Sequence, residues 1–160
     1  MTSINWWKLI SAVLVCELAG VIGSVFTMSA IPAWYETLKK PSFNPPNWIF
    51  GPVWTLLYLL MGIALYLVWQ SKSNPELKSY ALIAFGVQLL LNALWSIIFF
   101  GLKSPMGALV EIGLLWASIL VSIILFFKIS QVAGFILLPY ILWVSFAAIL
   151  NAAIAILNRK

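Results

Sequence analysis

Five long apolar runs dominate this chain: Trp6–Met28, Trp48–Gln70, Tyr80–Gly101, Met106–Phe127 and Val132–Leu157. Each meets or exceeds the roughly 20 residues that a helix needs to cross a bilayer. The sequence of 160 residues is 64% hydrophobic and 8% charged, too apolar to surround itself with water. Its exterior must face acyl chains, where the backbone has to satisfy its own hydrogen bonds as helices or as a closed barrel. Barrel strands alternate apolar and polar residues, and that period is absent. The expectation is an all-α membrane protein, a bundle of five transmembrane helices forming one domain over residues 1–160. The polar segments Ser71–Ser79, Leu102–Pro105 and Lys128–Gln131 read as turns. Leu102–Pro105 is short enough to make the third and fourth helices antiparallel neighbours.

Charge and residue types exclude several functions. Nine Lys and Arg against four acids give a net charge of +5. The cations sit at the ends of apolar runs, so membrane lipid headgroups are the expected partner and nucleic acid is not. Lys8, Lys72, Lys78 and Lys128 fall on one side; Lys39, Lys40, Lys103, Arg159 and Lys160 fall on the other. That margin of one leans to a cytoplasmic C-terminus. There is no His and no Asp, which removes Ser-His-Asp catalysis and histidine metal sites. Cys16 stands alone, so no internal disulfide forms. Leu9–Met28 is long for a signal peptide and carries Glu17, so the first run is expected to stay as a helix.

The connector Ser29–Asn47 differs in character. Pro41, Pro45 and Pro46, then Pro52 in the next run, fix φ and remove backbone donors, so the approach to the second helix is stiff. With Trp34, Tyr35 and Trp48 alongside, this Pro/Trp-rich first loop reads as a lid over a ligand pocket.

Polar and aromatic groups inside the spans mark the candidate site, because each polar group needs a partner in hydrocarbon. Gln88, Asn92, Trp95 and Phe99 recur at helical spacing on one face of the third helix, beside Ser96. That face is either an interhelical clamp or a pocket wall with its amides orienting a ligand. Pro139, Trp143, Phe146 or Ala147, and Leu150 form a matching face on the fifth helix, with Asn151 at its edge, and Pro139, lacking a donor, bends the helix or loosens a turn there. Trp54, Tyr58 and Met61 make a stripe on the second helix. Trp6, Trp7, Trp48 and Trp69 read as interfacial belt residues. Trp116, mid-span, faces lipid, a partner or the core. Glu17 and Glu111 lie within spans, as protonated structural acids or, for Glu17, as a proton-coupling group; Glu111 is within range of Lys103. Ala19-x-x-x-Gly23, Gly20-x-x-x-Ser24 and Ala148-x-x-x-Ala152 are small-residue faces for internal packing or a dimer seam.

Motifs from three segments together resemble the translocator protein (TspO) family, also known as tryptophan-rich sensory proteins or peripheral-type benzodiazepine receptors. The matching residues are Trp34-Tyr35, Lys40-Pro41, Asn44-Pro45-Pro46, Trp48, Pro52-Val53-Trp54, Tyr58 and Met61-Gly62. Gln88, Leu91-Asn92, Trp95 and Phe99-Phe100-Gly101 follow, then Pro139-Tyr140, Trp143, Phe146-Ala147 and Leu150-Asn151. The resemblance implies a five-helix bundle, usually a homodimer, whose first loop caps a cavity. It implies binding of porphyrin or haem as ligand rather than resident cofactor, and of isoquinoline or benzodiazepine-type drugs. Carried over residue by residue, Trp34 and Tyr35 belong to the lid. Trp54, Asn92 and Trp143 line the pocket, with Gln88 and Tyr58 close by; the helix faces read above add Trp95, Phe146 and Ala147 to the expected ligand-binding set. Light-dependent porphyrin breakdown, proposed for bacterial relatives, would involve Tyr35, Trp54 and Trp143; a proton-coupled transporter using Glu17 is the other alternative. Ala152 and Ala153 stand where the animal cholesterol motif needs aromatics, so cholesterol is not the expected ligand. The short charged tail points to a prokaryotic plasma membrane.

Overall fold

In the computed structural model, residues 4–159 are described. Lys160, counted in the charge balance above, lies outside them. Among the described residues all regular structure is helical: α1 Trp6–Ala33, α2 Asn47–Gln70, α3 Pro75–Ser96, α4 Pro105–Ile129, α5 Gln131–Ile136 and α6 Leu138–Leu157. A π-helical turn, Ile97–Gly101, extends α3, and α5 with α6 makes one span, so five segments are long and apolar enough to cross a membrane.

Helix ends differ from the sequence reading for local reasons. The first helix runs past Met28 to Ala33, because Ala30 is buried and the Trp34 N–H closes the last turn on the Ala30 carbonyl at 2.9 Å. The third begins at Pro75 rather than Tyr80. Asn74 accepts from the N–H groups of Glu76 and Leu77, and Pro75, which lacks a donor, starts the helix. The hydrophilic stretch expected as a turn over Ser71–Ser79 therefore supplies the first helical turn. The fifth span breaks at Leu137, two residues before Pro139, whose missing N–H cannot continue the ladder.

That break shapes the bundle. α1 packs on α2 and α3, and α4 packs on α3, α5 and α6. Among the described residues α5 fills the side between α2 and α4, whereas α6 scarcely touches α2. The core is dense in the half away from the lid, where Phe85 and Phe126 stack at 5.4 Å between α3 and α4. Gly62 lies so close to α1 that an added Cβ would sit 2.6 Å from Val13 Cα. At Gly51, nearer the lid, nothing lies within 4 Å of such an atom. The two helices therefore touch backbone to backbone at one end and part at the other. The small-residue face of α1 serves this internal packing: Gly20 lies against the Tyr58 ring and Gly23 against Ser96.

Candidate functional site

The space where α2 and α6 part is a cavity of about 460 Å³ beneath the first loop. Its walls come from α1, α2, α3, α4 and α6. Of the residues expected to bind ligand, Tyr35, Trp54, Tyr58, Asn92, Trp95, Trp143 and Ala147 line it. Trp34, Gln88 and Phe146 do not. Trp34 packs edge-on against Phe99, Phe146 lies behind Trp143 at 5.4 Å, and Gln88 is buried deeper in the bundle.

The polar face of α3 is clamp and pocket wall together. Tyr58 donates its hydroxyl to Asn92 Oδ1, and Asn92 Nδ2 donates to the Tyr140 hydroxyl at 2.9 Å. Tyr140 in turn donates to Gln88 Oε1 at 2.9 Å. This chain ties α2, α3 and α6 together and holds Asn92 and Tyr58 at the cavity floor. Higher up, Trp95 stacks on Phe99 at 5.0 Å and donates its indole N–H to Asn151 Oδ1 at 3.1 Å. Trp54 stacks on Tyr58 at 5.6 Å. Trp143 offers a buried indole N–H with no partner among the described residues.

The loop from Trp34 to Pro46 closes the top. Tyr35 is buried, with its ring against Phe99 and Phe100 and its hydroxyl donating to Asn44 Oδ1 at 2.7 Å. Burial first, and then the neighbouring Glu36 carboxylate, push the Tyr35 phenol up to about 12, so it stays a donor. Lys40 lies over the Tyr35 ring at 4.6 Å and pairs with Glu36 at 3.3 Å. Asn47 donates to Glu36 at 2.7 Å; that bond, then Lys40, holds the Glu36 carboxyl below its ordinary range.

A second fastening was invisible in the sequence. Asn158, just past α6, accepts from the Lys39 N–H at 3.0 Å and donates to the Lys39 carbonyl at 2.9 Å. One side chain thereby replaces a strand partner for the loop backbone. Asn158→Ala should cost the protein about 1 kcal/mol or less, since the site is exposed. Amide exchange over residues 38–44 should nonetheless rise several-fold while α4 stays unchanged. Equal protection of the loop in both proteins would show that Asn158 does not hold it.

Other expectations are redirected. Glu111 is buried, and among the described residues it has no partner: Lys103 does not reach it. Lys103 instead takes φ 52° in the tight turn between α3 and α4. Trp116 reaches α6, where its N–H donates to Ser145 at 2.8 Å. Trp6, Trp7 and Trp48 are well exposed, as belt residues are, and Lys8 lies over the Trp69 ring at 5.5 Å. Sequence reasoning missed Phe50, Ile112 and Leu115 as lining residues. Phe50 was within reach, one turn before Trp54 on the same stripe. Ile112 and Leu115 are ordinary core residues by pattern.

On the α1–α2 side the wall is incomplete. Val21, Met28 and Trp48 line the cavity and yet are 56%, 74% and 73% exposed on the outside of the bundle. Together these features define an integral, multi-pass membrane protein with a lidded aromatic cavity within the bilayer. The TspO/MBR family description matches residues 12–157, and the chain belongs to that family. It is 44% identical to the tryptophan-rich protein TspO of Archaeoglobus fulgidus over 96% of this chain and 99% of that relative. It is 38% identical to protein CrtK of Rhodobacter capsulatus, covering 89% of this chain and 88% of the other. With the human translocator protein the identity is 35%, over 91% and 87% respectively.

Proposed function

We propose that this protein binds a tetrapyrrole, protoporphyrin IX or haem, in the cavity beneath the first loop, and acts as its sensor, scavenger or translocator. The carrying observation is the wall: Trp54, Trp95 and Trp143 on three different helices border one cavity of about 460 Å³. That volume falls in the roughly 300–1,000 Å³ range of small-molecule sites. A flat macrocycle gains about 0.5–1.5 kcal/mol per aromatic contact beyond area burial. Isoquinoline or benzodiazepine-type drugs suit the same wall. Similarity to the tryptophan-rich sensory protein of Cereibacter sphaeroides and to the human translocator protein supports a sensing or translocating role. The archaeal and bacterial relatives support a prokaryotic plasma membrane.

Added protoporphyrin IX should quench tryptophan fluorescence saturably. Trp54→Phe with Trp143→Phe should weaken binding about tenfold, as expected for two degraded stacking contacts. An unchanged affinity in the double variant would reject this site.

A further inference from the structure

Glu17 is a cavity-lining group that the protein leaves unpartnered. On α1 the lining stripe runs Glu17, Gly20, Ser24, Thr27 and Ile31, so Glu17 marks the end farthest from the loop. Among the described residues no hydrogen bond or ion pair reaches its carboxyl. Neighbouring polar groups are engaged. The Ser24 and Thr27 hydroxyls donate to the carbonyls of Val21 and Gly23, and Thr55 donates to that of Gly51. Tyr58 is bonded to Asn92. On α6, also facing this cavity, Trp143 presents the buried indole N–H that likewise lacks a partner. Glu17 is only partly buried, so its carboxyl stays open to the cavity, and no bond within the protein assigns it a structural role. The partner it lacks is one that a ligand can bring.

We propose that Glu17 is a specificity-determining contact for outward-facing N–H groups of the ligand, and that it gives open-chain tetrapyrroles an anchor that closed macrocycles cannot use. This rests on the reading that the cavity takes a tetrapyrrole. In a closed ring the pyrrole N–H groups point to the centre, shielded from a carboxyl at the ring's edge. Opening the ring turns them to an accessible edge and adds terminal lactam carbonyls. A carboxyl then meets N–H donors, and the free Trp143 N–H meets a carbonyl. The donor and acceptor left over in the cavity thus complement the donors and acceptors that ring opening exposes.

The test uses the full chain in lipid nanodiscs, titrated with biliverdin and with protoporphyrin IX while tryptophan fluorescence is followed. Glu17→Leu should weaken biliverdin about tenfold, the loss of one good hydrogen bond, and leave protoporphyrin IX within about twofold. Glu17→Gln should fall between, because its amide oxygen still accepts. Retained protoporphyrin binding shows in the same sample that the cavity is intact. An equal change for both ligands, or no change for either, overturns the role of Glu17. So does a wild-type protein that binds protoporphyrin IX but not biliverdin, while leaving the tetrapyrrole reading in place. A wild-type protein that binds neither removes both.

Discussion

Gly62→Ala should lower the unfolding temperature in detergent by several degrees, although alanine is the better helix former. The new Cβ would stand 2.6 Å from Val13 Cα and 3.0 Å from Val13 N, atoms of the α1 backbone that cannot rotate away. α1 and α2 must separate along their closest approach. Overpacking of this kind costs about 1–3 kcal/mol, more than the roughly 1 kcal/mol gained in helix propensity. Gly62→Val should be worse, and should also disturb the cavity, since the same two helices form its open side. The control is Gly51→Ala on the same helix. Nothing lies within 4 Å of its added atom, so stability should stay level or rise slightly. Equal behaviour of the two alanine variants would show that the contact at Val13 does not set the helix spacing.

Asn92→Leu should be as damaging, for an electrostatic reason. Asn92 accepts from Tyr58 and donates to Tyr140, and all three side chains are buried. Leucine fills similar space and leaves Tyr58 with an orphan donor and Tyr140 with one acceptor bond fewer. A buried polar group stripped of its partner costs about 1–3 kcal/mol, although single interhelical bonds in membranes average nearer 0.6. The loss should therefore be about 2 kcal/mol. Adding Tyr58→Phe to the leucine variant should recover part of it, because the orphaned hydroxyl goes too. A double-mutant cycle in denaturant reads this directly: additivity within about 0.3–0.5 kcal/mol would mean that the two side chains are not coupled. Porphyrin binding should fall in the leucine variant, whose cavity floor has lost its amide.

The sequence carried the spans, the lid and most of the wall, because each is written in local pattern. Apolar length gives the helices. Four-, three- and four-residue spacings put Gln88, Asn92, Trp95 and Phe99 on one face whatever that face meets. What the spacing cannot give is the partner. Gln88 shares a face with Asn92 but is turned to Tyr140 rather than to the cavity, a distinction made by α6, 52 residues away. The Asn158 fastening joins residues 119 apart and has no local signature. The start of α3 was legible in Asn74 and Pro75, an N-cap followed by a first-turn proline, but was masked by the charged residues Glu76 and Lys78, which look like turn composition.

The splay of α1 from α2 has a consequence for how affinity is counted. A greasy guest partitions into the bilayer before it meets the protein, and Val21, Met28 and Trp48 put the edge of the cavity in that same phase. The dose the site experiences is then moles of guest per mole of phospholipid. Doubling the vesicles at a fixed total amount of porphyrin should shift the half-saturation point, even with the protein held constant.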